Sequence, residues 1–397
     1  MHRRWNILGW SILVTVFIGM VTYLILNPSR TGVVPNYRMG ATNWWAGKGF
    51  YGVGPQDSQG THGFLYFPQF AVLFSLFNLI RPELLGEILW RAFGLGLFAW
   101  GIWKLANANQ TIGRSGANAP TFLPLVVLSV PASLASINNG QTNLPLSGCL
   151  VLAVIALGGQ TWNLAAFWLG LALVLKPIAL APWLLAFAVF PAMRRPLLIS
   201  LVPLGVLGLL HPDLHYATDR WSKCLQKIFI AYSPENLRVS DMFGALGKAG
   251  WAPSAILVTA TRVMACLGAL AWVRQSFRRQ GLAAGSWTLW VASALVWTLF
   301  NPRAETNSYV LISPLLAFAA ISYWQEAGGR WKGLVLAAAC LGLMCDGMGL
   351  WIYKATDVWF KPLIVLLVSP LLMRVPRGWK REGGSLKAEN LGKAGLQ

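Results

Sequence analysis

Between two apolar runs the chain carries NPRAETNSYVLISP, residues 301–314. Arg303 offers a planar fork suited to gripping an anion. Glu305 can orient that arginine or bind a hydroxyl, and Asn307 and Tyr309 add further hydrogen-bonding groups. The plain alternative is an Arg–Glu turn that satisfies itself and caps two helices. A second cation, Lys176, stands before Pro177 inside an apolar run. It is either an anion contact or a lysine snorkelling from a kink. Gln141 and Asn143, in NNGQTN, either bind hydroxyls or satisfy backbone exposed where two helices break. Asp57, in GVGPQDSQGTHG, is the sole carboxylate of the polar stretch 27–62. It has the chemistry of a general base, and equally that of a turn residue in a Gly-rich loop. His62 lies within reach of the same position and reads as a polar loop residue.

These groups sit in a chain of 397 residues that is 56% hydrophobic and 11% charged, with a mean hydropathy of +0.54. Soluble domains carry roughly 25% charged residues, so this is the composition of a polytopic membrane protein. The net charge of +19 comes from basic clusters at the ends of apolar runs: Arg3 and Arg4, Arg194 and Arg195, Arg274 to Arg279, Arg330 with Lys332, and Arg374 to Lys393. That is the positive-inside pattern, supplemented by attraction to lipid phosphates. It is not a nucleic-acid surface, for no basic stretch is interleaved with aromatics. The five cysteines show no CxxC and no metal-ligand spacing. DxD, a Gly-rich phosphate loop and HExxH are also missing, so neither a metal nor a cofactor is expected.

Apolar runs near 5–26, 64–80, 84–105, 121–137, 144–158, 163–190, 196–211, 251–273, 284–300, 308–324, 333–352 and 360–375 make about twelve membrane-length segments. The expected fold is therefore an all-α, polytopic bundle over residues 1–375. The first run is preceded by basic residues and followed by no cleavage site, so it reads as an uncleaved helix with a cytoplasmic N-terminus. With both termini inside, the basic connections fall inside. The loops 27–62 and 212–250 and the turn 301–307 fall outside. Within 27–62, residues 36–51 have amphipathic character and are expected along the interface. Two details resist this count: Lys104 and Arg114 land outside, and 163–190 is long for one span, with a kink expected at Lys176-Pro177. Glu87 and Arg91, four apart, are expected to neutralise each other, and Arg262 to pair with Asp346. Residues 376–397 read as a basic, disordered cytoplasmic tail.

NYRMGATNWWAGKGFY, GFLYFPQFAVLF, NNGQTNLPL, WLGLALVLKPIALAP and NPRAETNSYVLISP follow one another in an order that resembles glycosyltransferase family 87. The resemblance covers roughly residues 10–325, and the Gly-Gln-x-Asn and Gly-Leu-Ala…Lys-Pro pieces carry most of it. It implies a GT-C-type fold and a polyprenyl-phosphate sugar, mannose foremost, as donor. It implies a lipid or glycan acceptor, surrounding membrane lipids and no nucleotide or metal. It also implies a site on the outer, periplasmic face of a bacterial plasma membrane.

In this family pattern an aspartate before the tyrosine of the YR pair acts as base. This chain has Asn36 there, and an amide cannot take a proton. Either Asp57 substitutes for it or the protein is a weak or inactive relative. On the same reading Lys176 and Arg303 hold the donor phosphate. Glu305, Asn307, Tyr309, Gln141, Asn143, His62 and Tyr66 are the candidates for sugar or acceptor. Loop 212–250, with Tyr216, Trp221 and Tyr232, is expected to help choose the acceptor. A transporter of lipid-linked sugar is the rival reading. It would be expected to show polar groups in paired broken helices near the membrane midplane, and no such pairing is legible.

Overall fold

A computed structural model describes residues 2–29, 32–53, 63–111, 122–231, 240–344, 351, 354–355, 360–376 and 379. All regular structure among these is helical. Helices α1 (His2–Leu26), α4 (Glu83–Thr111), α5 (Phe122–Asn138), α6 (Asn143–Gly158), α7 (Trp162–Leu175), α8 (Leu180–Val189) and α9 (Arg194–Gly208) build the first part of the bundle. Helices α12 (Ala255–Leu295), α13 (Ser313–Trp324), α14 (Arg330–Gly342) and α15 (Lys361–Leu372) build the rest. Shorter helices α2 (Val34–Trp45), α3 (Pro68–Asn78), α10 (Leu214–Ala231) and α11 (Met242–Lys248) lie in or beside the long polar connections.

Arg4–Leu26, Glu83–Asn107 and Ala255–Phe300 are long and apolar enough to cross a membrane, and the bent pair Pro177–Val189 and Pro191–Gly208 is a fourth candidate. Large apolar side chains remain exposed along them, including Ile7, Val14 and Ile18 of α1, Val202 and Val206 of α9, and Ile256 and Met264 of α12. Water would penalise such surfaces; lipid does not. The helices mark an integral membrane protein.

The bundle has two distinguishable ends. At one, Arg91 Nη2 donates to Asn138 O at 3.1 Å, Trp44 Nε1 to Leu210 O at 3.2 Å and Lys361 Nζ to Thr306 O at 2.9 Å. At the other, Tyr323 OH donates to Leu371 O at 2.8 Å and Trp379 Nε1 to Ala283 O at 2.8 Å. Arg374 stands 3.9 Å from Glu326 there.

Three expectations change on this frame. Residues 64–80 do not form a bundle-length helix: α3 has 11 residues, about 16 Å at 1.5 Å per residue, half of a hydrocarbon core of about 30 Å. It lies against α2 at the first end, where Trp45 Nε1 donates to Ser75 Oγ at 2.7 Å and Asn78 Nδ2 to Thr42 Oγ1 at 3.1 Å. Residues 163–190 are not one kinked helix but two, α7 and α8, because Pro177 forces the residue before it out of the helical region. Lys176 is accordingly extended, with φ −160° and ψ 134°. From there α8 packs on α12 and the segment that follows it: Trp297 Nε1 reaches Ile178 O at 2.9 Å, and Phe190 meets Phe277, just before the Gly281 turn, with ring centroids 5.0 Å apart. With α3 kept at the first end, α4 starts there, where Glu83 pairs with Arg38 of α2. Lys104 consequently shares a cleft with Trp379 at the second end, the end that carries Arg374, rather than standing with the first loop. Arg114 lies outside the described residues.

The connection 274–280 is helical rather than a loop. Helix α12 runs through it and turns back at Gly281, whose φ of 83° and ψ of −172° suit only a residue without Cβ. The first loop holds a true amphipathic helix, α2, with Val34, Tyr37, Gly40, Ala41 and Trp44 buried at helical spacing.

Close packing of α4 on α6 rests on Gly148. A Cβ there would stand 2.4 Å from Leu97 O and 2.6 Å from Leu97 C. Backbone cannot yield as a side-chain tip can, so Gly148→Ala should lower the melting temperature in detergent, with a cost of about 1–3 kcal/mol. An unchanged melting temperature would show that the helices can separate without penalty.

Candidate active site

The sequence explains the turns that build the site. Helix α5 stops at Asn138, and Gly140, at φ 62°, reverses the chain. Gln141 N–H reaches back to Ser136 O at 3.0 Å. A Cβ on Gly140 would meet Val34 Cγ2 at 2.6 Å, so glycine lets α2 close over the turn. Trp90 Nε1 donates to Gly140 O at 2.7 Å, and Val33 N–H to Asn139 O at 3.1 Å. Beneath the turn is an ionic relay. Arg38 of α2 bonds Glu83 and, at 3.1 Å, Glu87. Arg91 bonds Glu87 at 3.3 Å, the pairing expected from their spacing. It then carries the relay to Asn138 O.

The stretch after α12 turns by a different device. Asn301 Oδ1 accepts from Arg303 N–H at 3.0 Å, and Ala304 N–H closes on Asn301 O at 2.9 Å. Glu305 then caps a 3₁₀ helix, Thr306–Leu311, in a capping box with Ser308. Ser136 Oγ holds Asn307 O at 2.7 Å. The opening motif is therefore both a capped turn and the wall of a pocket.

That pocket, about 170 Å³, is lined by Val33, Asn36, Tyr37, Gln141, Lys176, Arg303 and Glu305, with Tyr66, Gly63 and Leu65 completing it. Residues widely separated in sequence converge here. Lys176 Nζ donates to Asn143 Oδ1 at 2.7 Å. Asn143 Nδ2 donates to Gln141 Oε1 and Asn307 Oδ1, each at 3.3 Å. Gln141 Nε2 donates to Glu305 Oε2 at 3.1 Å. Since Asn143 fixes which end of the Gln141 amide is the acceptor, its NH₂ group must face Glu305. Burial pulls the Lys176 ammonium down to about 8; the Glu305 carboxylate works against that shift and Arg303 adds to it. Burial pushes the Tyr66 phenol up to about 12 and Tyr37 well above its ordinary value. Their hydroxyls lie 2.9 Å apart, and near neutral pH both are protonated.

Of the residues expected at a site, Asn36, Tyr66, Gln141, Lys176, Arg303 and Glu305 line the pocket, and Asn143 and Asn307 support it from behind. Tyr309 is turned away: its hydroxyl donates to Ser240 O at 2.7 Å and Thr298 O at 3.3 Å, and it is fully buried. Asp57 and His62 lie outside the described residues, as do Tyr232 and Asp346. Arg262 pairs with Asp241 at 2.5 Å. Tyr216 OH donates to Lys48 O at 2.8 Å and Asn43 O at 3.1 Å, and Trp221 Nε1 to Gly208 O at 3.1 Å, so both serve first to hold loops together. Tyr37 was not expected at the site. Its signal was its place one residue after Asn36, a helix position that turns inward while Asn36 stays exposed. Among the described residues no three His, Cys, Asp or Glu side chains gather as a metal site would require.

A membrane protein whose described regular structure is helical, with a small pocket of cations and amides and, among the described residues, one carboxylate, has the equipment to bind a phosphorylated, hydroxyl-rich ligand. Residues 64–251 match the model of glycosyltransferase family 87, and the chain therefore carries a glycosyltransferase family 87 domain over that stretch. The match contains Tyr66, Gln141, Asn143 and Lys176. No curated protein matches the chain. A domain of that family over this stretch implies a transferase, which takes a sugar from a donor to an acceptor.

Proposed function

We propose that the protein moves a hexose, mannose foremost, from a polyprenyl-phosphate sugar to a lipid or glycan acceptor of the cell envelope. In this reading the bundle is GT-C-like, with about twelve passes, several of them shorter than a hydrocarbon core of about 30 Å. Both termini are cytoplasmic, and the pocket opens on the periplasmic side of a bacterial plasma membrane. The observation that carries it is the convergence of Lys176 and Arg303 on one pocket with Glu305 and Gln141. Two cations suit a phosphate whose charge grows as the glycosidic bond breaks, and amides suit sugar hydroxyls. Lys176 and Arg303 hold the donor phosphate. Gln141, Asn143, Asn307 and Tyr66 shape the sugar or acceptor side.

Glycosyl transfer also needs a base for the acceptor hydroxyl. Asn36 stands at the pocket with no capacity for that role, which is the one observation favouring a catalytically inactive relative. Asp57, the sole carboxylate of the stretch 27–62, is one candidate to take its place.

Donor binding has a signed pH dependence on this reading. Lys176 is cationic below its pKa, so its share of the phosphate grip is present at about pH 7 and fades as pH rises through about 8. Affinity for a polyprenyl-phosphate sugar, measured on purified protein in detergent, should fall several-fold over that interval. Lys176→Met should bind weakly at both ends and lose the slope. A slope that survives in Lys176→Met would remove Lys176 from the phosphate contact.

A further inference from the structure

Any transfer to a hydroxyl acceptor leaves a proton to be placed, and the groups on the pocket wall limit its destination. Asn36 and Gln141 are amides and take no proton near neutral pH. Arg303 stays protonated at any physiological pH. Tyr37 and Tyr66 hold their phenol protons. Lys176 donates to Asn143 Oδ1 at 2.7 Å and is committed as a cation if it grips phosphate. The remaining titratable group on the wall is Glu305, the carboxylate among the described lining residues.

Glu305 is also held as a base should be. Gln141 Nε2 fixes Oε2 at 3.1 Å, and in the capping box the same carboxylate accepts the Ser308 backbone N–H. The turn is anchored from below by Lys361 Nζ on Thr306 O at 2.9 Å and by Ser136 Oγ on Asn307 O at 2.7 Å. A carboxylate on such a support keeps its direction without cost at the moment of reaction. Its side chain is half-buried, so it is open to the cavity and yet shielded from bulk water.

We infer that Glu305 is the general base of the transfer, occupying the chemical role that Asn36 cannot fill. The inference rests on the transferase reading given above. The acceptor oxygen forms a bond to the anomeric carbon while the bond from that carbon to the phosphate oxygen breaks. The electron pair of the broken bond stays on the polyprenyl phosphate, facing Lys176 and Arg303. The acceptor proton goes to the Glu305 carboxylate and from there to water. Bringing base and cations into one pocket lets proton removal and leaving-group stabilisation act on the same substrate pair.

The test uses the full-length protein in lipid vesicles with a polyprenyl-phosphate sugar, following both sugar transfer and donor binding. Glu305→Gln should reduce transfer by about 10² or more with donor affinity and melting temperature close to wild type. Glu305→Asp keeps a carboxylate and should retain more activity than Glu305→Gln. In Glu305→Ala, added formate should restore part of the transfer, an effect that a residue serving only to cap the turn would not produce. Transfer at the wild-type rate in Glu305→Gln overturns the inference. So does loss of transfer in Asp57→Asn alone, with Glu305→Gln unaffected, for the base is then Asp57. If the wild-type protein itself releases no sugar from the donor, the transferase reading falls and takes the inference with it.

Discussion

Arg303→Ala should reduce transfer by about 10²–10³, the scale of losing one donor to a developing oxyanion, and most of the loss should appear with the lipid-phosphate donor rather than with the acceptor. Arg303 is 7% exposed, and the Asn301 turn fixes its backbone N–H at 3.0 Å. The side chain thus enters the pocket from a rigid base and with little water around it. A charge in that setting counts for more than in bulk water. Arg303→Lys keeps the charge but replaces a planar fork by a point, and should still lose about tenfold, the equivalent of one charge-assisted hydrogen bond. Kinetics with varied donor at fixed acceptor would check this. Equal activity in wild type and Arg303→Ala would place the donor phosphate elsewhere.

The second large effect is expected at Asn143, which no substrate need touch. It is fully buried and takes Lys176, Gln141, Asn307 and Ser308 onto one amide, the last at 3.5 Å. Asn143→Leu fills the same space and leaves the Lys176 ammonium without its 2.7 Å acceptor. An unsatisfied buried partner costs about 1–3 kcal/mol, more when charged, so the variant should melt well below wild type and transfer poorly. The double variant Asn143→Leu with Lys176→Met should recover part of the stability, since the stranded charge is then gone. Such non-additivity is the signature of direct coupling. Strictly additive losses would mean that the two residues support the fold independently.

The helical class and the polar convergence were legible from the sequence because each depends on composition or on strongly marked positions. A Lys-Pro pair in an apolar run, an Arg and a Glu two apart, and a Gly-Gln-x-Asn turn are costly among lipids, and all of them meet at one pocket. What was not legible depends on tertiary choice. Residues 64–80 are apolar enough for a span, yet α3 buries Phe70 and Phe74 against Tyr37 and stays at the site end. Tyr309 is one residue beyond Ser308 in a polar turn, and only the 3₁₀ geometry decides that it points to Ser240 rather than to the pocket. Arg262 found its partner in Asp241, whose oxygen also caps α11 through Gly244 N–H at 2.7 Å. A sequence pattern has no means of ranking such long-range pairs. Tyr37 is hard to read as a site residue because the polar signal of the stretch lies on its neighbour Asn36. A helix places adjacent residues about 100° apart, enough to turn one inward and leave the other exposed.

The most direct measurement is reconstitution of the protein into sealed vesicles containing a polyprenyl-phosphate sugar and an acceptor, with separate detection of the lipid phosphate, the glycosylated acceptor and the intact donor in each leaflet. A glycosyltransferase with this pocket should release free polyprenyl phosphate in step with acceptor glycosylation, and Arg303→Ala should suppress both. Movement of intact donor from one leaflet to the other, with no free polyprenyl phosphate formed, would contradict it.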